Sequence, residues 1–181
     1  MPEDLPTVSI DPRIETLIAR QEIHDALMRY CIGIDRADLQ LVLSAFHEDA
    51  LDNHGGFDEV AVERFTRTVV EGASMWTSHN TGNILIQVDG TTASAVSYLT
   101  AWHRFAIDGQ EYDWVIAGRY VDRFEKRNGE WRIAHRTVVY DCQRFDAVVA
   151  IPAGHPASTF FDRVVRGKKS KEDFMYEVVR F

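Results

Sequence analysis

Residues 76–146 read WTSHNTGNILIQVDG TTASAVSYLTAWHRFAIDG QEYDWVIAGRYVDRFEKRNG EWRIAHRTVVYDCQRFD, and this stretch decides the fold. It is rich in Val, Ile, Thr, Tyr, Trp and Phe, which fit a pleated, half-buried surface. Asp89-Gly90, Asp108-Gly109 and Asn128-Gly129 interrupt it, and such dipeptides mark tight hairpins because both central residues of a type I′ turn need positive φ. A meander of four antiparallel strands is predicted. The turns stand 19 and 20 residues apart, whereas strands usually run about five or six residues. Strands that long must bend, and Gly82 and Gly118 are the expected places. A sheet curved in this way leaves a hollow.

Upstream of the meander the hydrophobic period changes. Asp11 is placed to cap a helix that begins at Pro12. Ile14, Leu17, Ile18, Ile23, Leu27, Tyr30, Cys31 and Ile34 then recur mostly at spacings of three and four, forming one apolar stripe. A second helix is predicted over residues 38–47, with Leu39, Val42, Leu43 and Phe46 inward, and a third after Asp58, with Val62, Phe65, Val69 and Val70. Helices followed by a meander give an α+β fold in which the helices close the concave side of a cone-shaped sheet. Residues 1–10 form an N-terminal extension and 11–146 the domain. Residues 147–181, with Pro152, Gly154, Pro156, Phe160-Phe161 and a basic run from Arg166 to Lys171, read as a tail packing over the domain or a neighbouring subunit.

The chain has 181 residues, 45% hydrophobic and 27% charged, the proportions of a globular protein long enough to bury a core. Its formal net charge is −8 and no Lys/Arg stripe interleaves with aromatics, which disfavours nucleic acid and anionic membranes as partners. A neutral or cationic small molecule is the easier ligand. The two cysteines, Cys31 and Cys142, have no metal-ligand or CxxC spacing, as expected of reduced thiols in a cytoplasmic protein. The opening Met1-Pro2-Glu3-Asp4 has no signal-peptide character, and no apolar stretch approaches the length of a membrane span.

Few residues invite chemistry. Asp35 lies one turn after Cys31, so it is either a carboxylate on the buried face of the first helix or the N-cap of the second, with Asp38 three residues on. His79 opens the first long strand. His103 and His135 alternate with apolar neighbours and compete with it, His103 most seriously, while His24, His47, His54 and His155 read as surface or loop residues. Arg136 on the last strand is either a surface charge or an inward one that needs a carboxylate or a substrate anion beside it. Tyr30 reads as a core aromatic with its hydroxyl satisfied. No HExxH, paired Cys/His, glycine-rich phosphate loop or GxSxG elbow occurs, so metal, nucleotide-cofactor and serine-hydrolase chemistry lack support.

Four segments resemble the SnoaL-like group of the nuclear transport factor 2-like superfamily, which includes scytalone dehydratase, bile acid 7α-dehydratase and γ-hexachlorocyclohexane dehydrochlorinase. Tyr30-Cys31-Ile32-Gly33-Ile34-Asp35 is similar to the end of that group's first helix, and Phe46-His47-Glu48-Asp49-Ala50 to its junction into the first strand. His79-Asn80-Thr81-Gly82-Asn83 resembles the strand with the dyad histidine, and Trp131 to Arg136 the last long strand. The resemblance covers residues 13–145. It implies an Asp35–His79 acid–base dyad, Tyr30 and Arg136 lining the pocket, no metal or organic cofactor, and a dimer or trimer; His103, inward by its alternation, is taken as a further substrate contact. The expected chemistry is a dehydratase-type elimination on a small apolar ring compound. An isomerase or polyketide cyclase using the same base is the alternative, and a non-catalytic binding protein like a dioxygenase small subunit is the third.

Overall fold

The computed structural model describes residues 11–55, 60–71 and 75–181, the side chain of Phe161 excepted. The expected N-terminal extension and the Asp58 start of the third helix lie outside these residues. Helix α1 spans Pro12–Arg36, with the Asp11 carboxylate accepting from the Arg13 N–H at the N-cap and Ala37 in the left-handed region at the C-cap. Ala19, Ile23, Ala26, Leu27, Tyr30, Cys31, Ile34 and Asp35 form its buried face. Ile14, Leu17 and Ile18, assigned to the same stripe from their spacing, are instead 50%, 64% and 48% exposed, so the helix is covered only from Ala19 onward.

Helix α2 is shorter than expected, Leu39–Ser44, and its N-cap is Asp38, whose carboxylate accepts from Leu41 N–H at 3.2 Å. That settles the alternatives for Asp35, which stays within α1. The chain leaves the helix at Ala45 because its next residues pair with the sheet: Ala45 C=O accepts from Ile133 N–H, and strand β1 runs Phe46–Asn53. His47 is therefore a buried strand residue, not a surface one, with Nε2 2.9 Å from the Glu125 carbonyl. Strand β2 (Val60–Ala61) leads into α3 (Val62–Glu71), which buries Val62 and Phe65.

The meander comprises β3 (Trp76–Asp89), β4 (Thr92–Ile107), β5 (Gln110–Arg127) and β6 (Glu130–Ala147). The Asp108-Gly109 and Asn128-Gly129 turns have positive φ at both residues. In the first hairpin Asp89 pairs with Thr92, so the turn residues are Gly90-Thr91 and only Gly90 has positive φ. The ladders shift register after Gly82 and at Gly118, where bends were expected, and again between Arg123 and Phe124. The order across the sheet is β2-β1-β6-β5-β4-β3. It is a curved but open sheet, not a barrel: β1 adds to β6 in parallel and β2 caps that edge. The helices lie against the concave face, where Tyr30, Phe46, Tyr120, Phe124 and Ile133 are buried.

The tail carries a 3₁₀ helix, η1 (Pro156–Arg163), capped by His155, and a short α4 (Met175–Val178). Between them the chain returns to the domain, with Asp173 accepting from Lys168 N–H at 2.7 Å and Arg36 donating to Lys168 C=O, and from α4 itself the Tyr176 hydroxyl donates to Asp38 at 2.9 Å. Among the described residues no helix is long and apolar enough to cross a membrane.

Candidate active site

Asp35 occupies the last turn of α1. Gly33 makes this turn fit, since a Cβ there would lie 2.6 Å from the Val42 side chain. The helix end thus packs closely on α2 and aims Asp35 at the start of β3. Its Oδ1 accepts from Thr77 Oγ1 at 2.9 Å and lies 2.7 Å from His79 Nδ1, while Oδ2 accepts from His79 N–H at 2.9 Å. Burial alone would raise the Asp35 pKa, but the hydrogen bonds and charge of His79, with Thr77, hold it below the ordinary carboxylate value. Because a carboxylate only accepts, His79 Nδ1 carries the proton and Nε2 is left as an acceptor.

That imidazole faces a cavity of about 670 Å³ lined by Ile34, Phe65, Val69, Met75, Trp114 and Tyr140 along with polar groups. His103 also lines it, with its ring edge-on to His79 at a centroid distance of 5.6 Å and Nδ1 3.2 Å from Trp114 C=O. Burial, then the neighbouring His79, lowers its pKa to about 4. Tyr30 lines the cavity too, its hydroxyl 3.3 Å from His54 Nε2, and burial raises its pKa.

The structure brings Asp35, His79, His103 and Tyr30 together, but not Arg136. Arg136 is completely buried and gives Nε and Nη2 to the two Asp122 oxygens at 2.8 Å each. Its guanidinium packs 4.1 Å from the Tyr30 ring centroid and 4.0 Å from that of Tyr120, and it does not line the cavity. The carboxylate that an inward arginine requires is therefore Asp122. His135 pairs in register with Arg123, next to the inward Asp122↔Arg136 pair, and so takes the opposite face of the sheet from His103. Among the described residues no group of three His, Cys, Asp or Glu side chains is arranged to hold a metal ion.

His54 is the residue that the sequence reading missed. It lies just beyond β1, lines the cavity, stacks on Phe65 at 4.2 Å and pairs through Nδ1 with the fully buried Asp52. Burial lowers its pKa while Asp52 opposes the shift. The signal was the Asp52-x-His54 spacing: positions two apart along an extended chain share a face, so a buried Asp52 directs His54 the same way.

Residues 15–137 match the family model described as a SnoaL-like domain. No curated protein matches the chain. Among solved structures, a scytalone dehydratase-like protein of Novosphingobium aromaticivorans is 23% identical, with a TM-score of 0.64 over 77% of this chain and 96% of the other. A hexachlorocyclohexane dehydrochlorinase of Novosphingobium barchaimii is 17% identical, with a TM-score of 0.65 over 80% and 99%. A protein of unknown function from Mycobacterium tuberculosis is 26% identical, with a TM-score of 0.61 over 74% and 78%. At identities under 25% the first two likenesses speak for the fold, a nuclear transport factor 2-like α+β cone. With its model matched from the first helix into β6, the chain belongs to the SnoaL-like domain family.

Proposed function

We propose that this protein is a cofactor-independent lyase of dehydratase type, in which His79 removes a proton from carbon and a leaving group, water in the simplest case, departs from the neighbouring carbon. One observation carries this reading: His79 Nδ1 is committed to Asp35, so its Nε2 lone pair is left to act as a base on a ligand in an apolar cavity. A positioned imidazole of this kind contributes about 10² to 10⁴ in rate. Nε2 takes the proton, the C–H electron pair becomes the new double bond, and the C–O bond breaks with its electrons on oxygen. The imidazolium, stabilised by Asp35, then returns the proton to the departing hydroxide. Apolar and aromatic walls suit a small cyclic substrate. An isomerisation would begin with the same abstraction, and the mass of the product distinguishes the two.

The test is turnover of a panel of cyclic hydroxy-ketones, followed by mass spectrometry. His79→Ala is expected to lower kcat by at least about 10² without lowering Tm much, because Asp35 keeps the Thr77 hydroxyl and the backbone N–H of residue 79 as donors. Asp35→Asn keeps the shape but offers no charge to the imidazolium, and a loss of about 10³ or more is expected. Wild-type activity is expected to survive dialysis against EDTA. An active His79→Ala chain, or inactivation by the chelator, would sink the reading.

A further inference from the structure

Taking a proton from carbon leaves negative charge that must be stabilised, and Arg136, which the resemblance placed in the pocket, is spent on Asp122. Among the described residues the only Lys or Arg side chain lining the cavity is Lys169, which belongs to the tail beyond the family match. Lys169 is held there by design of the surrounding loop. Its Nζ donates to the Met75 carbonyl at 2.6 Å. Asp173 ties its own loop together by accepting from Lys168 N–H and Met175 N–H. Arg36, the residue after Asp35, holds that loop through Lys168 C=O at 3.2 Å and Asp173 at 3.6 Å. The end of α1 therefore positions the base through Asp35 and the tail through Arg36. The ammonium is close enough for its charge to favour neutral His103 and for Asp35 to favour its own charged state, against the burial that lowers its pKa. An ammonium has three N–H donors; one goes to Met75, and the others are available to a ligand.

We propose that Lys169 is a catalytic residue that donates a hydrogen bond to the carbonyl oxygen of the substrate as it becomes an enolate oxyanion, so that the substrate class is a ring compound with a carbonyl next to the C–H bond broken. The inference rests on His79 as the base. His79 Nε2 takes the α-proton, the C–H pair forms the carbon–carbon double bond of the enolate, and the carbonyl π pair moves to oxygen, where Lys169 meets it without giving up its proton. The enolate thus stands between the two bond changes of the elimination. As it collapses, the oxygen pair re-forms the carbonyl, the enolate C=C pair becomes the new double bond to the neighbouring carbon, and the C–O bond breaks with its electrons on the departing hydroxide, which takes the proton back from His79 Nε2.

The oxyanion is tested without turnover by binding 2-naphthol, whose absorption distinguishes phenol from phenolate, with 2-methoxynaphthalene as the neutral control. Bound to the wild-type chain, 2-naphthol is expected to be ionised to a greater extent than in buffer at the same pH. Lys169→Met is expected to lower the bound phenolate-to-phenol ratio by about tenfold or more, the effect of one pKa unit, while 2-methoxynaphthalene binds as before. Lys169→Arg, which keeps the charge, is expected to retain ionisation. Lys169 is on a half-exposed loop, and unchanged circular dichroism checks that the variants fold. An unchanged ratio in Lys169→Met with the control still bound overturns the role of Lys169 alone. If the wild-type chain binds neither naphthalene, the ring-binding cavity itself is refuted, and the Lys169 role with it.

Discussion

At the scale of single residues, the imidazoles of the cavity differ by what surrounds them, and acid separates them. His103 gives Nδ1 to the Trp114 carbonyl and sits against His79, and burial followed by that neighbour's charge depresses its pKa from 6.5 to about 4, with Lys169 adding to the effect and Asp35 opposing it. A depressed folded-state pKa means that the unfolded chain takes up the proton first. The stability conferred by neutral His103 is thus fully present above about pH 6.5 and is lost as pH falls through about 4. His54, also shifted down by burial, acts in the same sense, and so does Asp35 at lower pH, where its carboxylate is depressed below 3.8. His103→Phe keeps an aromatic ring and cannot titrate. It is expected to flatten the fall of Tm across the window from pH 6.5 to 4, and an unaltered slope in thermal melts would show that the cavity does not hold His103 neutral.

At the scale of elements, the two glycines chosen as bends are not equivalent. At Gly118 a Cβ would lie 2.3 Å from the Val139 carbonyl oxygen, a backbone atom that cannot swing away, whereas at Gly82 nothing comes within 4 Å. Gly118→Ala is expected to cost about 1–3 kcal/mol, typical of forced overpacking, and Gly82→Ala less than about 0.5 kcal/mol, as for an open surface position. Urea midpoints check both, and equal effects would remove the distinction. The sequence showed bends at both glycines because long strands and missing side chains are local facts. It did not show which bend is crowded, since that depends on how β6 pairs with β5 at the register shift beside Gly118. The same divide runs through the rest. The start of α1 and the four-strand meander follow from caps and turns, and the Asp35–His79 juxtaposition was what the family resemblance implied. The early end of α2, the burial of His47, the inward His54 and the Asp122 partner of Arg136 all depend on pairing between β1, β5 and β6. Lys169 carried no signal, because a lysine in a basic tail acquires meaning only from the helix end it docks against.

At the scale of the whole molecule, the outward face of the sheet carries exposed apolar side chains. Leu85, Tyr98 and Val121 project from it, 60%, 51% and 39% exposed, and Trp102 beside them is covered only in part, under Arg104. Apolar patches of this kind mark association surfaces. We expect a homodimer or homotrimer that covers them, with Tyr98→Glu weakening it. Sedimentation equilibrium at micromolar concentration measures this, and a wild-type monomer there would refute it. The parallel ladder of β1 on β6 governs a different property, the order in which the molecule becomes competent. It joins Phe46 to Ile133 and Asp52 to Arg136, segments far apart in the chain, and such closures are the entropically costly, slow ones. Local hairpin closure is expected to bring His79, His103 and Trp114 together first, with Asp52 and His54 following when β1 pairs and Asp35 when α1 docks. An arrested folding intermediate built on the meander would hold the imidazole of His79 without its carboxylate, so the onset of activity in a refolding experiment reports the last contacts made, not the first.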